Sequence, residues 1–302
     1  MTETVQSAIA ARLGALSISS QIDTDTYPSI VALFEEALST YRDEAACSSV
    51  GHTLTYADLD RLSAQFAGWL QHGAGLEQGD RVAVQMPNLI QYLVVSLGAL
   101  RAGMVVVNTN PLYTERELEH QLNDAGVKVM VVQANVAQTA AAVLPKTGVQ
   151  TVVVTEIADL HPQPKRALIN FLVKHVKKMV PAFSIPGALK LNAVLKAGAK
   201  TPYRASILNR DDLAMLQYTG GTTGVAKGAM LTHGNLIANV LQSDAFFATH
   251  DMEGRGSTVL QPLPVYHIYA FTASMYALRI GAHTAFVPNP RDLPSVVKAF
   301  DE

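Results

Sequence analysis

The sequence predicts an α/β fold in which mixed, mostly parallel sheets are layered with helices. Three observations carry that prediction. Short apolar, β-branched runs recur along the chain, stretches of roughly ten to fifteen residues with helical periodicity separate them, and capping or turn residues stand at the changes. Strands separated in this way need crossover connections, and crossovers build parallel sheets.

Taken in order, residues 28–41 (Pro28 to Tyr41) have a helical pattern, and ACSSVGHTLTY holds two short β-type runs around a turn at Gly51 and His52. Thr55-Tyr56-Ala57-Asp58 has capping-box spacing: a threonine hydroxyl and an acid three residues on each accept from the other's backbone N–H. It opens an amphipathic helix expected to end near His72 and Gly73. RVAVQM (81–86) reads as a strand, LIQYLVVSLGAL (89–100) as a buried helix and MVVVN (104–108) as the next strand. A second capping box, Thr114-Glu115-Arg116-Glu117, opens a helix ending at Ala125-Gly126 before strand VKVMVV (127–132). Further strands are expected at TVVV (151–154), LAMLQY (213–218), TVLQPL (258–263) and HTAFV (283–287), with a helix starting near His233.

At 302 residues the chain suits two average domains or one large α/β unit and buries a sizeable core. A formal charge of −2 creates no global field that would select nucleic acid as a partner. The single cysteine, Cys47, excludes an intramolecular disulfide framework and reads as a small buried apolar residue, which fits a reducing, cytoplasmic setting. MTETVQSAIAARLGAL begins acidic and carries Arg12 in its apolar stretch, so it does not read as a secretory signal. The longest apolar run spans about a dozen residues before Arg101, whereas a membrane span needs about twenty. No internal repeat or low-complexity tract is visible.

One segment departs from the rest. Between His161 and Arg210 there are ten Lys or Arg residues and no Asp or Glu. Within it, residues 165–180 place Leu168, Ile169, Leu172, Val176 and Met179 on one helical face, opposite a basic face with Arg166, Lys174, Lys177 and Lys178. Such a helix could lie on the anionic inner face of the cell membrane as a peripheral contact. An ordinary surface helix with a solvated basic face is the favoured alternative.

QYTGGTTGVAKGAMLTH (217–233) concentrates glycines, threonines and a lysine between a strand and a helix. Glycines let backbone N–H groups approach an anion closely, threonine hydroxyls add donors, and a lysine supplies a compact positive charge. Phosphate is the guest this chemistry fits. The stretch is not a Walker A loop, because Ala226 precedes Lys227 and Gly228 follows it. Nor is there a G-x-G-x-x-G fingerprint; Gly73-Ala74-Gly75 comes nearest, with Gln78 at the last glycine position.

Tyr218-Thr219-Gly220-Gly221-Thr222-Thr223-Gly224-Val225-Ala226-Lys227-Gly228-Ala229 closely resembles the phosphate-loop signature of the adenylate-forming superfamily of acyl-CoA synthetases, luciferases and adenylation domains. Within it, Gly220, KHVKKMVPAFSIPGA and LPVYHIYAFT are most similar to bacterial long-chain fatty-acid CoA ligases. The resemblance implies the N-terminal large, AMP-binding domain of that fold over residues 28–302, after an extension at 1–27.

It also implies a two-step reaction: a fatty carboxylate attacks the α-phosphate of ATP, releasing pyrophosphate, and the coenzyme A thiol then captures the acyl group. Residues 218–229 would grip the triphosphate, Thr219 would contact Mg2+, Lys227 would neutralise charge, His267 would orient the carboxylate, and Tyr266 would form a neighbouring wall. The remaining histidines show no defensible metal spacing and read as surface or cap residues. Asp211 and Asp212 read as a solvated strand start.

Two departures bear on activity. Ala226 stands where the family commonly has proline. The 302 residues hold no Gly-Tyr-Gly-x-Thr-Glu adenine motif, no Thr-Gly-Asp ribose motif and no mobile small domain with its lysine. The large domain is therefore expected to be incomplete, with uncovered edges that favour self-association or a homodimer, and with little activity by itself. The alternatives are another acyl or aryl acid CoA ligase, or a catalytically silent nucleotide- or acyl-binding protein.

Overall fold

The computed structural model describes residues 3–19, 21–220, 226–247 and 254–300. In chain order they form α1 (Glu3–Ala15), α2 (Ile30–Thr40), β1 (Ala45–Ser49), β2 (His52–Thr55), α3 (Tyr56–His72), β3 (Arg81–Gln85), α4 (Ile90–Arg101) and β4 (Val105–Thr109). Next come α5 (Glu115–Asp124), β5 (Val127–Gln133), α6 (Ala137–Val143), β6 (Thr151–Thr155), α7 (Lys165–Phe171), β7 (Leu189–Lys190) and α8 (Leu191–Gly198). The last are β8 (Leu213–Thr219), β9 (Lys227–Thr232), α9 (His233–Phe247), β10 (Thr258–Gln261), α10 (Ile268–Arg279), β11 (His283–Phe286) and α11 (Leu293–Phe300).

The larger sheet has the order β7-β6-β5-β3-β4-β8-β9, parallel throughout except for the antiparallel β8–β9 hairpin. Its faces are sorted by the two-residue period of the strands. Val82, Val84, Val106 and Val131 pack into the core under α2, α3 and α4. Ala83, Val105, Val107, Met130 and Val132 pack into a second core under α5 and α6. Because both faces are covered, the strands read as continuous apolar runs.

A smaller sheet, β10-β11-β1-β2, joins distant parts of the chain, with Cys47 opposite Thr284. Cys47 is fully buried, as expected. Tyr56, the first residue of α3, donates its hydroxyl to the Leu278 and Ala282 carbonyls at 3.1 and 2.9 Å, closing that sheet against α10.

Both capping boxes form. Thr55 caps α3 with Asp58, and Thr114 caps α5 with Glu117. α4 is buried along its whole length. At its end Arg101 is 4% exposed and donates to the Asp60 carboxylate at 2.6 Å. α8 lies so close to α3 that a Cβ at Gly198 would fall 1.8 Å from the Gln65 carbonyl oxygen.

Four expectations change. Residues 227–232, read as loop and helix entry, are strand β9: glycine and alanine mask the alternation, and the pairing partner β8 supplies the order. TVLQPL yields a strand only to Gln261, because Pro262 has no N–H for a ladder. His161 and His233 are buried, not surface residues. The apolar side of residues 165–179 faces outward, whereas an ordinary surface helix turns it to the core.

Candidate active site

In open α/β sheets, ligands bind at the carboxyl ends of neighbouring strands whose exits diverge. Here β4 exits towards α5 and β8 exits into the glycine-rich loop. Between their ends lies a cleft of about 260 Å³ lined by Asn108, Asn110, Tyr113, Gln217, Tyr218, Thr219, Gly220, Tyr266 and His267.

Buried side-chain amides hold this floor together. The Tyr92 hydroxyl donates to Asn108 Oδ1 at 2.6 Å, Asn108 Nδ2 donates to Gln217 Oε1 at 3.0 Å, and Gln217 Nε2 donates to the Tyr266 carbonyl at 3.1 Å. Asn88, at the exit of β3, donates to the Gln261 and Leu263 carbonyls at 3.0 and 2.8 Å and accepts from Val265 N–H at 2.9 Å. Together these bonds tie residues 261–266 to the ends of three strands. A buried chain of this kind is worth keeping only when every member is paired.

His267 caps α10: its Nδ1 accepts from Tyr269 N–H at 3.4 Å, which leaves Nε2 for a ligand. The α10 N-terminus, with its unsatisfied N–H groups and positive dipole end, thus opens beside the cleft and favours an anion there. Burial raises the pKa of Tyr113 and of Tyr266, so both phenols stay neutral hydrogen-bonding groups at neutral pH.

The β8–β9 pairing places Thr219 opposite Lys227, Tyr218 opposite Gly228 and Gln217 opposite Ala229. Side chains directly opposite share a face, so Thr219 and Lys227 project on the side of Gln217, and Tyr218 projects on the other. Thr219 and Lys227 are exposed, and Lys227 is not part of the cleft lining. Gly221, Thr222, Thr223, Gly224 and Val225 lie outside the described residues.

α5 holds both arms of the loop. The Tyr218 hydroxyl donates to Asp124 Oδ2 at 2.5 Å, and His120 Nε2 lies 3.0 Å from the Ala226 carbonyl. Burial, reinforced by Asp124, pushes the Tyr218 pKa well above the usual phenol value, so its proton stays in this bond. Sequence does not single out Asn88, Asn108, Gln217 or Asp124 for the site, and it reads His120 as a surface or cap residue. Only the polar residues inside otherwise apolar strand ends, Asn108 and Gln217, carried a local signal.

Beside His267 an apolar groove of about 450 Å³ runs between α9 and α10, lined by residues including Leu231, Leu236, Phe247, Val259, Ile268, Tyr269 and Tyr276. Among the described residues no group of three or more His, Cys, Asp or Glu could hold a metal ion, and no helix is long and apolar enough to cross a membrane.

Fold and cleft define a class: the sequence matches the AMP-binding enzyme family over residues 34–302, and the chain belongs to it. Within that family it is 45% identical, over 93% of its length, to a long-chain-fatty-acid–CoA ligase of Escherichia coli O157:H7, covering 50% of that protein. It is 35% identical, over 85% of its length, to the long-chain-fatty-acid–CoA ligase of Bacillus subtilis strain 168, covering 46% of it. The chain spans about half the length of these curated relatives. The same fold occurs in the crystal structure of a long-chain-fatty-acid-CoA ligase (FadD1) from Archaeoglobus fulgidus, with a TM-score of 0.71 at 24% identity over 89% of this chain and 49% of that one.

Proposed function

We propose that this chain carries the nucleotide and acid sites of a long-chain fatty-acid CoA ligase. The observation that carries the reading is the convergence of Thr219, Gly220, Tyr266 and His267 on one cleft beside an apolar groove. ATP phosphates would lie against the loop from Tyr218 to Ala229, with Lys227 neutralising charge. The fatty carboxylate would sit near His267 and the α10 N-terminus, with Tyr266 as a wall and its chain in the groove.

In the first step a carboxylate oxygen bonds to the α-phosphorus and pyrophosphate leaves. In the second the coenzyme A sulfur bonds to the acyl carbon and AMP leaves. Both steps need positioning and charge neutralisation more than covalent help from the protein. Mg2+ fits one donor here, the exposed Thr219 hydroxyl, since this ion is commonly held by one or two protein ligands plus substrate phosphates. When bound it would neutralise phosphate charge.

The unit proposed is residues 28–302 after an extension at 1–27, in a cytoplasmic protein that reaches the inner membrane face peripherally. Homodimerisation is proposed on the β9 edge, where Met230 is 69% exposed. A strictly monomeric light-scattering mass at all concentrations would remove that part.

Isothermal titration of the 302-residue chain with ATP and Mg2+ is expected to show binding that Lys227→Ala weakens roughly ten- to a hundredfold, the loss of a charge-assisted contact. Binding that is absent, or unchanged by the substitution, sinks the phosphate assignment. Acid-dependent ATP–pyrophosphate exchange by the natural gene product is expected to rise with acid chain length. A preference for short or aryl acids assigns the protein to another CoA ligase, and nucleotide binding with no exchange assigns it to a silent binder. Because the 302 residues lack the adenine and ribose motifs, this chain by itself is expected to form no acyl-CoA; clear product would overturn that expectation.

A further inference from the structure

Residues 262–267 bring Tyr266 and His267 to the cleft, yet they belong to no strand or helix, and Pro262 and Pro264 have no N–H with which to join a ladder. One backbone bond, from His267 N–H to the Pro264 carbonyl at 2.9 Å, closes a turn within the segment. Among the described residues, two side-chain amides tie its backbone to the body. Asn88 holds the Leu263 carbonyl and the Val265 N–H. Gln217 holds the Tyr266 carbonyl through Nε2 at 3.1 Å.

Gln217 also stands where β8 runs out into the glycine-rich loop. It is two residues from Thr219, so both side chains lie on one face of β8, and both line the cleft. Its Oε1 accepts from Asn108 Nδ2 at 3.0 Å, and Asn108 Oδ1 accepts from the Tyr92 hydroxyl at 2.6 Å. Tyr92, Asn108 and Gln217 are buried. The donors all point one way, from Tyr92 in α4 to the Tyr266 carbonyl. An amide accepts at one end and donates at the other, so each bond in the chain fixes the orientation of the next. An apolar side chain at 217 would fill the same space without the cost that a buried amide carries when a partner is lost.

The amide therefore lies between two functions. In the ligase reading, phosphate drawn against Thr219 and Gly220 holds the end of β8 and with it Gln217. Gln217 in turn holds Tyr266, and the next residue is His267 at the α10 N-terminus, where the acid binds. Coupling of this kind acts equally in both directions.

Resting on that reading, we propose that Gln217 is a positioning residue through which nucleotide and acid each tighten the binding of the other. Tyr92 and Asn108 hold the amide in the orientation that serves the acid side.

The test is isothermal titration of the 302-residue chain with dodecanoate, alone and with saturating α,β-methylene-ATP and Mg2+. The methylene bridge cannot release pyrophosphate, so binding is read without reaction. The analogue is expected to tighten dodecanoate binding about five- to a hundredfold. Gln217→Met keeps the length of the side chain and removes both of its bonds; in it that factor is expected to fall to about one, whatever becomes of either affinity alone. A merely structural role would weaken dodecanoate equally with and without the analogue and leave the factor intact, which overturns the proposal. Tyr92→Phe, remote from the ligands, is expected to lower the factor by a smaller amount. Should Gln217→Met fail to fold, Tyr92→Phe decides, and an unchanged factor there overturns the proposal. A parent that binds both ligands with a factor of one defeats this proposal and leaves the ligase reading standing. A parent that binds neither defeats the ligase reading and the proposal with it.

Discussion

Gly228 sits opposite Tyr218 so closely that an added Cβ would lie 2.9 Å from the Tyr218 ring. The ring has little room to yield, because its hydroxyl is bound to Asp124 and its face is packed in the α5–α6 core. Gly228→Ala is therefore expected to cost about 1–3 kcal/mol, as overpacking does. It should also weaken ATP binding through displacement of Tyr218; an unchanged melt and titration would contradict this. His233 is the second residue with a measurable signature. Burial lowers its pKa from 6.5 to about 4, and Asp212 only partly opposes the shift. Above pH 6.5 both states hold a neutral imidazole. As pH falls below 6.5 the unfolded chain takes up a proton that the folded chain refuses until about pH 4, so stability declines across that window by up to about 3 kcal/mol. His52, His161 and His283, also lowered by burial, act in the same direction. Urea midpoints at pH 7 and pH 5 should therefore separate, and His233→Gln should narrow the gap; parallel curves would refute the assignment.

At the scale of elements, α5 does more than cover the sheet. It grips the entering arm of the glycine-rich loop through Asp124 and the leaving arm through His120. Asp124→Ala leaves a buried phenol without its acceptor, a loss of about 1–3 kcal/mol. With that arm freed, ATP affinity is expected to fall roughly tenfold, about the worth of one ordered hydrogen bond. Calorimetry on D124A and on the double variant with H120A tests this; affinities equal to that of the parent would show that α5 is only a scaffold. Elements themselves were largely legible in the sequence. Thr55–Asp58 and Thr114–Glu117 declared helix starts because capping is a contact within three residues, and RVAVQM, MVVVN and VKVMVV declared strands because their burial on both faces needs unbroken apolar runs. β9 was not legible. Its order comes from β8, and apart from the half-buried Leu231 and Thr232 its own side chains are small or exposed.

For the whole molecule, the smaller sheet is the long-range clasp: β1 pairs with β11 across more than two hundred residues, and Tyr56 bonds to carbonyls at the far end of α10. Tyr56→Phe, which removes the hydroxyl donor to those carbonyls, is expected to cost about 1 kcal/mol in urea denaturation. A variant as stable as the parent would mean that packing alone closes the sheet. The phosphate-loop signature, the caps, the strand and helix periods and the single buried cysteine belong to the sequence by itself, because each is set by neighbours a few residues away. Tertiary structure alone decided that β4 lies beside β8, so that Asn108 meets Gln217, and that Asn88 brings Tyr266 and His267 to the same cleft. It also decided that the apolar side of residues 165–179 faces water. Periodicity shows that a helix has two faces, but only the groups that dock it, here Asn170 and Lys165, determine which face is turned inward.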